Sequence, residues 1–339
     1  SKKYNIRFTF VTYGDKDDYQ YENYFDNLKI LPIYALSKYS GSKAIRILKT
    51  LIIPFRLKKL INKEKVIIKS NQMYGAWVPI IFKLITRNPL LIRTGYDLLE
   101  FSIQEKKNLL KLFIYYLLTF FALNVSDIFV STSKYDIKNL RNRFLFNRRK
   151  IFHIPNWVPT LENDSQVALN KKIIMVGRIE QQKRFDLALK LLSDTDFIVD
   201  IYGEGTLKNR FIQESKFTNN INFYEKVNNK NLLKKYKEYG FYLSLSDYEG
   251  NSKTILEALA SGCIVIASNI SNNLEIITNG KNGFIFDRSN DNLIELLNNI
   301  FSDHEIMKQI SSEARLYIQK NNSIEVITDK EFEILTKLI

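Results

Sequence analysis

Hydrophobic and polar positions along this chain follow two different periods. Short runs of apolar and β-branched residues, each ended by a glycine or a polar residue, predict strands. Longer runs with an apolar residue every three or four positions predict helices. In the first half, the predicted strands cover residues 8–12, 66–70, 90–93 and 128–131, and the predicted helices cover 43–61, 76–85 and 105–124.

The second half repeats this alternation. Its predicted strands cover residues 173–176, 197–202, 241–245 and 264–267, and its predicted helices cover 185–192, 232–239, 253–260 and 290–301. Strands that alternate with helices indicate parallel sheets with helices on both faces, so the predicted class is α/β. A chain of 339 residues exceeds what one hydrophobic core usually organises, and we therefore predict two domains joined by the polar stretch 161–170.

Composition narrows the class of protein. Hydrophobic residues make up 45% of the chain and glycine and proline are few, which excludes collagen-like and wholly disordered chains. Cys263 is the one cysteine and there are two histidines, so the sequence predicts no disulfide within the chain and no Cys/His metal site. The formal net charge of +14 predicts an anionic partner, which could be a phosphate, a nucleic acid or an acidic membrane face.

One apolar run could be mistaken for a membrane span. Residues 109–125 are interrupted by Lys111, Thr119 and Asn124 and fall short of the ~20 apolar residues that a spanning helix needs. We interpret the run as a buried helix. Residues 1–7 lack the features of a secretory signal, so the sequence predicts a cytoplasmic chain that is soluble or peripheral to a membrane.

Candidate chemistry lies where predicted strands end, because ligands of open parallel sheets bind at the carboxyl ends of the strands. Gly177 and Arg178 end one strand, and Lys183 follows five residues after Arg178. The two cations could hold a phosphate, or they could be ordinary surface charges. Gly203 and Gly205 end the next strand, where they could let the backbone approach a ligand or form a plain turn.

A third strand end leads into a helix. Ser252 is predicted to cap that helix, and the free N–H groups of the first turn, at Lys253 and Thr254, would suit a diphosphate. Glu249 and Glu257 flank this turn, and their carboxylates would accept hydrogen bonds from sugar or ribose hydroxyls. Taken singly, each glutamate could also be a plain loop or helix residue.

In this order, the motifs resemble those of retaining glycosyltransferase family four. The matching elements are Gly177-Arg178-x4-Lys183, Gly203-x-Gly205, Glu249-x7-Glu257 with Asn251 between them, and Glu275 followed by Asn279 to Gly283. The likeness extends over about residues 151–287. It implies the GT-B arrangement, in which two Rossmann-like doubly wound domains face across a cleft.

The resemblance also implies a role for each of these residues. Arg178 and Lys183 would hold the diphosphate of a nucleotide-sugar donor, Glu249 the donor sugar and Glu257 the ribose. The three catalytic candidates (Arg178, Lys183 and Glu249) would act without an essential metal or cofactor, and the donor would be UDP-linked. Other donor-binding candidates are Gly177, Gly203, Gly205, Asn251, Ser252, Lys253 and Thr254. The implied domains are residues 1–163, 164–316 and a helical tail, 317–339, that crosses back to the first domain.

The first half departs from the family pattern. Residues 8–14 look like the family's second strand, which implies that the first βα unit is missing or reduced. Where the family often has a histidine, this chain has Arg93-Thr94-Gly95-Tyr96-Asp97. By position, the acceptor-side candidates are Asn71, Gln72, Arg93, Tyr96 and Asp97, although each could be a turn or capping residue. Near the linker, Trp157 replaces the family's usual small residue.

The acceptor is expected to be a glycan or a polyprenyl-diphosphate-linked glycan of a bacterial surface polysaccharide. Residues 43–65 alternate basic and apolar side chains, which predicts contact with the anionic inner face of the cell membrane. The alternative is a core helix with a cationic solvent face. Two other functions stay open: a sugar-nucleotide epimerase of the same fold, and a basic nucleic-acid-binding protein, although no nucleic-acid-reading motif is present.

Overall fold

The computed structural model describes residues 6–24, 26–33, 48–61, 66–146, 148–160 and 167–339. Its contacts form two compact units, one of residues 1–68 with 75–90 and one of residues 69–74 with 91–339. The domain boundaries expected from the sequence, at 163/164 and 316/317, stay a prediction. Residues 161–166 of the proposed linker, and 43–47 and 62–65 of the proposed membrane segment, lie outside the described residues.

The first unit is built around two parallel strands and two helices. Strands β1 (Phe8–Thr12) and β2 (Leu28–Pro32) pair in register from Phe8 with Leu28 to Thr12 with Pro32. Helices α1 (Ile53–Ile61) and α2 (Trp77–Thr86) belong to the same unit. Their buried side chains form one core with β2, made of Leu31, Ile33, Ile53, Leu57, Val78 and Phe82.

The second unit opens with a four-stranded sheet. Its elements are β3 (Ile68–Ser70), β4 (Leu90–Thr94), α3 (Leu98–Gln104), α4 (Leu109–Val125), β5 (Ile128–Ser131), α5 (Lys134–Arg143) and β6 (Ile151–His153). The strands lie in the order β3-β4-β5-β6, and β4, β5 and β6 are parallel neighbours. Every residue of β4 and β5 is buried, as expected for strands covered on both faces.

The chain then builds a six-stranded sheet. Its elements are β7 (Lys172–Val176), α6 (Phe185–Leu192), β8 (Ile198–Tyr202), α7 (Lys208–Glu214), β9 (Ile221–Tyr224), α8 (Asn229–Tyr236), β10 (Phe241–Ser244), α9 (Lys253–Ser261), β11 (Ile264–Ser268), α10 (Ser271–Leu274), β12 (Phe284–Phe286) and α11 (Leu293–Ser302). The strand order is β12-β11-β10-β7-β8-β9. All of its paired strands are parallel, but β8 and β9 are added on one side of β7 and β10 to β12 on the other. The point between β7 and β10 where the strand order reverses is where doubly wound sheets bind ligands.

Two further helices end the chain. Helix α12 (His304–Asn321) packs on α9, and α13 (Ile324–Thr336) packs on strands of the first half. Ile327 and Ile334 of α13 share a buried cluster with Leu91, Ile128 and Val130 of β4 and β5. Among the described residues, no helix is long and apolar enough to cross a membrane.

Some of the predicted elements differ from those in the structure. The helix expected at 105–124 begins at Leu109, because Lys106 has a left-handed backbone (φ 53°) and Asn108 caps a new helix by accepting a hydrogen bond from Lys111 N at 3.0 Å. Strands β2, β6, β9 and β12 were not predicted; they have only three to five residues, too few for a clear pattern.

Candidate active site

The loops that follow β7 and β10 are tied together at the switch point of the six-stranded sheet. After β7, a 3-10 turn (Gln181–Lys183) brings Gln182 against the second loop. Asp247 N donates to Gln182 O at 2.9 Å, and Gln182 Nε2 donates to Tyr248 O at 2.6 Å. These bonds fix the loop that carries Lys183 against the loop that carries Glu249.

Lys183 and Glu249 form an ion pair across these two loops. Glu249 also accepts a hydrogen bond from Ser246 Oγ at 2.7 Å, and 8% of its side chain is exposed. A charge held this far from water is stabilised only by its partners. The structure thus brings these two predicted residues into direct contact, and their role in a donor site stays a prediction.

Arg178 differs from Lys183 in being exposed. Within the described part of the chain, its guanidinium makes no hydrogen bond or ion pair, which leaves its donors open to solvent. Its charge still acts on the first-half loop: burial raises the pKa of Tyr96, and the nearby Arg178 charge opposes that rise. Arg178 and Tyr96, predicted on different sides of the site, therefore lie near each other.

The two glycines after β8 are required by close backbone packing. A Cβ at Gly203 would lie 1.9 Å from Gly177 O, and a Cβ at Gly205 would lie 2.2 Å from Ile179 O. Ile179 N also donates to Glu204 O at 2.9 Å. The glycine pair therefore lets the loop after β8 lie against the loop after β7, a role that a plain turn would not need.

The first turn of α9 presents uncapped amides. Ser252 occupies the N-cap position, but its side chain makes no capping hydrogen bond, so that prediction is wrong for the hydroxyl. Instead, Ser252 Oγ lies 3.3 Å from Thr254 Oγ1, which also accepts a bond from Tyr242 OH at 2.8 Å. Lys253 Nζ lies over the ring of Trp157, 5.1 Å from its centroid. A helix N-terminus with free N–H groups suits an anion.

Glu257 lies one turn further along α9 and is 2% exposed. Its Oε1 accepts a hydrogen bond from Asn229 Nδ2 at 2.7 Å, at the start of α8. Burial raises the pKa of the Glu257 carboxyl, whereas the Asn229 hydrogen bond and the Lys253 charge lower it. A buried carboxylate with a single hydrogen bond retains acceptor capacity, as a ribose site would require.

Asn251, predicted to bind the donor, makes hydrogen bonds to another part of the chain in this structure. Its side-chain oxygen accepts from Asn156 N at 2.8 Å, and Asn156 Nδ2 donates back to Asn251 O at 2.7 Å. Asn322 Nδ2 in turn donates to Asn156 O at 2.8 Å. Asn251 thus joins the loop before α9 to residues 155–158 and to the junction of α12 and α13. Sequence reasoning gave no role to Asn156 or Asn322.

The acceptor-side candidates divide into two groups. Arg93 is 8% exposed; it pairs with Glu331 of α13, and its Nη2 donates to Pro155 O at 3.0 Å. Asp97 caps α3, accepting from Leu99 N at 3.0 Å and Glu100 N at 3.1 Å. These two residues are therefore engaged in structural contacts, the alternative that the sequence left open for each of them.

The other three acceptor-side candidates face solvent. Tyr96 is 39% exposed and packs on Phe101, which lies edge-on to Tyr248 with ring centroids 5.1 Å apart. Its neighbour Gly95 contacts the donor side closely, since a Cβ on Gly250 would lie 2.3 Å from Gly95 O. Asn71 and Gln72 are exposed at the end of β3. Tyr96 is thus the acceptor-side candidate whose pKa is affected by the Arg178 charge and whose ring packs on Phe101, which in turn contacts Tyr248.

Glu275, part of the matched motif, lies against the first half of the chain. Its carboxylate accepts from Ser133 Oγ at 3.1 Å and from Lys134 N at 2.8 Å, at the first turn of α5. Negative charge is favourable at a helix N-terminus, so this glutamate serves as a cap provided by a distant part of the chain. In the ranges that the structure describes, no three His, Cys, Asp or Glu side chains cluster as metal ligands would.

Several known proteins resemble this chain in sequence. Residues 162–317 match the family model "Glycosyl transferases group 1". The O-antigen biosynthesis glycosyltransferase WbnH of Escherichia coli is 24% identical over 254 residues, which cover 74% of this chain and 72% of that protein. The N-acetylgalactosamine-N,N'-diacetylbacillosaminyl-diphospho-undecaprenol 4-alpha-N-acetylgalactosaminyltransferase of Campylobacter jejuni is 25% identical over 218 residues, covering 60% of this chain and 59% of that protein.

Solved structures of other proteins have the same fold as this chain. Anabaena Alr3699/HepE, in complex with UDP and glucose, superposes with a TM-score of 0.77 over 99% of this chain and 93% of its own, at 17% sequence identity. The parallel α/β sheets and this likeness establish the GT-B fold that the sequence predicted. The matched segment, the relatives and the fold together support a GT-B glycosyltransferase.

Proposed function

We propose that this chain is a retaining glycosyltransferase that moves a sugar from a UDP-linked donor to a glycan or lipid-linked glycan in bacterial surface polysaccharide biosynthesis. The observation that carries the proposal is the Lys183–Glu249 pair beside the uncapped first turn of α9. A cation, a carboxylate and free amides at one sheet edge are the groups that a sugar diphosphate needs. The relatives named for O-antigen and undecaprenol-linked substrates support the pathway class.

Each group would bind one part of the donor. The exposed Arg178, the Lys183 ammonium and the α9 amides would bind the diphosphate through charge-assisted hydrogen bonds. Glu249, beside Lys183, would accept hydrogen bonds from hydroxyls of the donor sugar. Glu257 would accept hydrogen bonds from the ribose hydroxyls. Its buried carboxylate has one hydrogen-bond donor in the protein, Asn229, and so keeps acceptor capacity.

The reaction would need no protein nucleophile. The bond between the anomeric carbon and the leaving phosphate oxygen breaks, and the acceptor oxygen forms its bond on the same face of the sugar. The acceptor proton passes to the leaving diphosphate. Arg178, Lys183 and the α9 amides then stabilise the negative charge that develops on that diphosphate, which is the main contribution of such a site. Because protein cations supply this stabilisation, we propose that activity persists in EDTA.

A lipid-linked acceptor would place the enzyme at the inner face of the cell membrane. The sequence predicts that the segment of basic and apolar residues 43–65 makes that contact. In its described part, 48–61, the apolar side chains of Leu48, Ile52 and Phe55 are exposed. The undecaprenol-linked substrate in the name of the Campylobacter jejuni relative supports this kind of acceptor.

Calorimetric titration of UDP tests donor binding directly. The account predicts that UDP binds to the wild-type chain, and that adding EDTA leaves the dissociation constant unchanged. It also predicts that uridine alone binds more weakly, because the diphosphate contacts are lost. Equal binding of UDP and uridine would contradict the assignment of Arg178, Lys183 and α9 to the diphosphate.

A further inference from the structure

Helix α4 presents a broad apolar face to solvent. Of its 17 residues, only Thr119, Ala122 and Leu123 are buried. Five large apolar side chains on the helix are between 49% and 83% exposed: Leu109, Leu110, Phe113, Ile114 and Phe121. The sequence interpretation of residues 109–125 as a buried helix is therefore wrong for this side of α4.

The exposed side chains share one side of the helix. At 3.6 residues per turn, positions 109, 110, 113, 114 and 121 fall within about 140° of one another. The three buried side chains lie on the opposite side. The face continues onto the next segment, because Asn124 Nδ2 reaches Leu145 O at 3.5 Å and Leu145 is 88% exposed. A contiguous apolar patch of this kind marks an interaction surface.

Basic residues lie at both ends of this face. Lys106, Lys107 and Lys111 are exposed around the first turn of α4, and residues 106–125 contain no acidic residue. Glu105 offsets part of this charge through its ion pair with Lys107 at 3.0 Å. At the other end, Lys150 Nζ donates to Ser126 O at 3.1 Å, which places the basic turn Arg148–Lys150 beside the end of α4.

We propose that this α4 face, defined by Leu109, Leu110, Phe113, Ile114, Phe121 and Leu145, docks the protein on an anionic lipid surface. Apolar side chains bordered by cations suit a membrane interface. The apolar side chains can insert among the acyl chains, and the anionic headgroups attract the cations. A protein partner would need its own apolar patch and acidic rim. A helix about 25 Å long, at 1.5 Å per residue, would lie in the plane of the interface.

This membrane contact rests on the proposed function, which places the enzyme at the inner face of the cell membrane. It can be tested without donor or acceptor. The test is sedimentation of the full chain with vesicles of phosphatidylcholine, alone and mixed with phosphatidylglycerol. The test variant is Phe113→Ser/Ile114→Ser. Its matched control is Phe217→Ser/Leu316→Ser, which removes two exposed apolar side chains, 89% and 52% exposed, from another part of the chain.

The wild type and the control should bind the mixed vesicles, and Phe113→Ser/Ile114→Ser should lower the partition coefficient by about tenfold or more, because two apolar side chains no longer enter the bilayer. High salt should weaken wild-type binding without abolishing it, since screening acts on the charges alone. The thermal unfolding midpoint and UDP affinity of the variant should match those of the wild type, which separates this inference from donor binding.

Equal vesicle binding by the test variant and the wild type would overturn the proposal, as would a wild type that binds neither vesicle. A Lys58→Glu/Lys59→Glu variant that alone loses binding would assign the contact to residues 43–65 instead. If the wild type is a dimer by analytical ultracentrifugation and the Phe113→Ser/Ile114→Ser variant a monomer, the face pairs two copies of this chain and the proposal is wrong.

Discussion

Lys183 and Glu249 pair across the two loops that meet at the switch point of the six-stranded sheet. The pair holds a cation in place where a donor diphosphate would lie, and Glu249 has a second partner in Ser246 Oγ at 2.7 Å. When a diphosphate binds, Lys183 would interact with both its negative charge and the Glu249 carboxylate. In the proposed function, this arrangement would allow Lys183 to interact with the negative charge that develops on the leaving group.

Substitution of Lys183 should reduce turnover more than donor affinity. Lys183→Ala removes a charge that stabilises the leaving diphosphate, and loss of one such preorganised group typically costs ~10²–10³ in kcat. Steady-state kinetics with a UDP-sugar measures both constants. The exposed Lys190→Ala is the matched control and should leave them unchanged. A Lys183→Ala enzyme with normal kcat would remove Lys183 from the chemistry.

Glu257 should contribute to nucleotide binding. Glu257→Ala leaves the ribose hydroxyls without a charged acceptor, and a hydrogen bond to a charged group contributes ~1.5–3 kcal/mol. Calorimetry should therefore show UDP binding weakened by about ten- to 150-fold. The UDP dissociation constant of Glu257→Gln should lie between those of the wild type and Glu257→Ala, because glutamine keeps an acceptor oxygen but not the charge. An unchanged dissociation constant in Glu257→Ala would place the ribose elsewhere.

Gly203 should tolerate no side chain. Gly203→Ala would place a Cβ 1.9 Å from Gly177 O, so the loops after β7 and β8 must separate. We expect reduced UDP affinity and a lower unfolding midpoint. Gly95→Ala is the control, because a Cβ there meets no atom within 4 Å. Similar effects from both substitutions would show that close packing at Gly203 is not the cause.

Asp136 should make stability depend on pH. Burial, with the Asp97 and Glu275 charges, raises its pKa from 3.8 to about 7, although the Asn272 hydrogen bond lowers it. Because the folded-state pKa is raised, the folded chain keeps a proton that the unfolded chain releases between these values. Its contribution to stability is therefore full below pH 3.8 and is lost as pH rises to about 7.

Urea unfolding at pH 5 and 8 measures this loss. The rise of the Asp136 pKa from 3.8 to about 7 corresponds to up to ~4 kcal/mol of unfolding free energy between pH 3.8 and 7. The part of this free energy that is lost above pH 5 lies between the two measurements. Asp136→Asn should flatten the dependence, whereas the exposed Glu238→Gln should not. If wild type and Asp136→Asn lose the same stability between these pH values, another group carries the proton.

The sequence allowed candidate site residues to be selected where they depend on strand ends and on the order of those ends along the chain, and their roles stay predictions. Arg178, Lys183 and Glu249 follow strands, and Glu257 lies one turn into the helix after β10; local patterns find such positions. The resemblance then supplied what spacing could not, namely which residues belong to one site. The close approach of Gly203 to Gly177 was not predictable, because it depends on how two loops pack.

Other contacts escaped prediction because they join distant parts of the chain. Asn251 bonds to Asn156, and Asn156 to Asn322, so three asparagines separated by up to 166 residues form one network. Glu275 caps a helix that lies about 140 residues earlier. Neither contact leaves a local pattern. The exposed side of α4 was missed for a related reason, since an apolar helix does not reveal which side lacks a partner.

In the proposed function, this chain transfers a sugar from a UDP-linked donor with retention of configuration. The most direct measurement is NMR of the product formed from UDP-glucose or UDP-N-acetylglucosamine and an undecaprenyl-diphosphate-linked glycan. We expect release of UDP and a product with the anomeric configuration of the donor, with both formed ~10²–10³-fold more slowly by Lys183→Ala. An inverted product would contradict the retaining mechanism, and absence of UDP release from a panel of UDP-sugars would contradict the assignment of the donor.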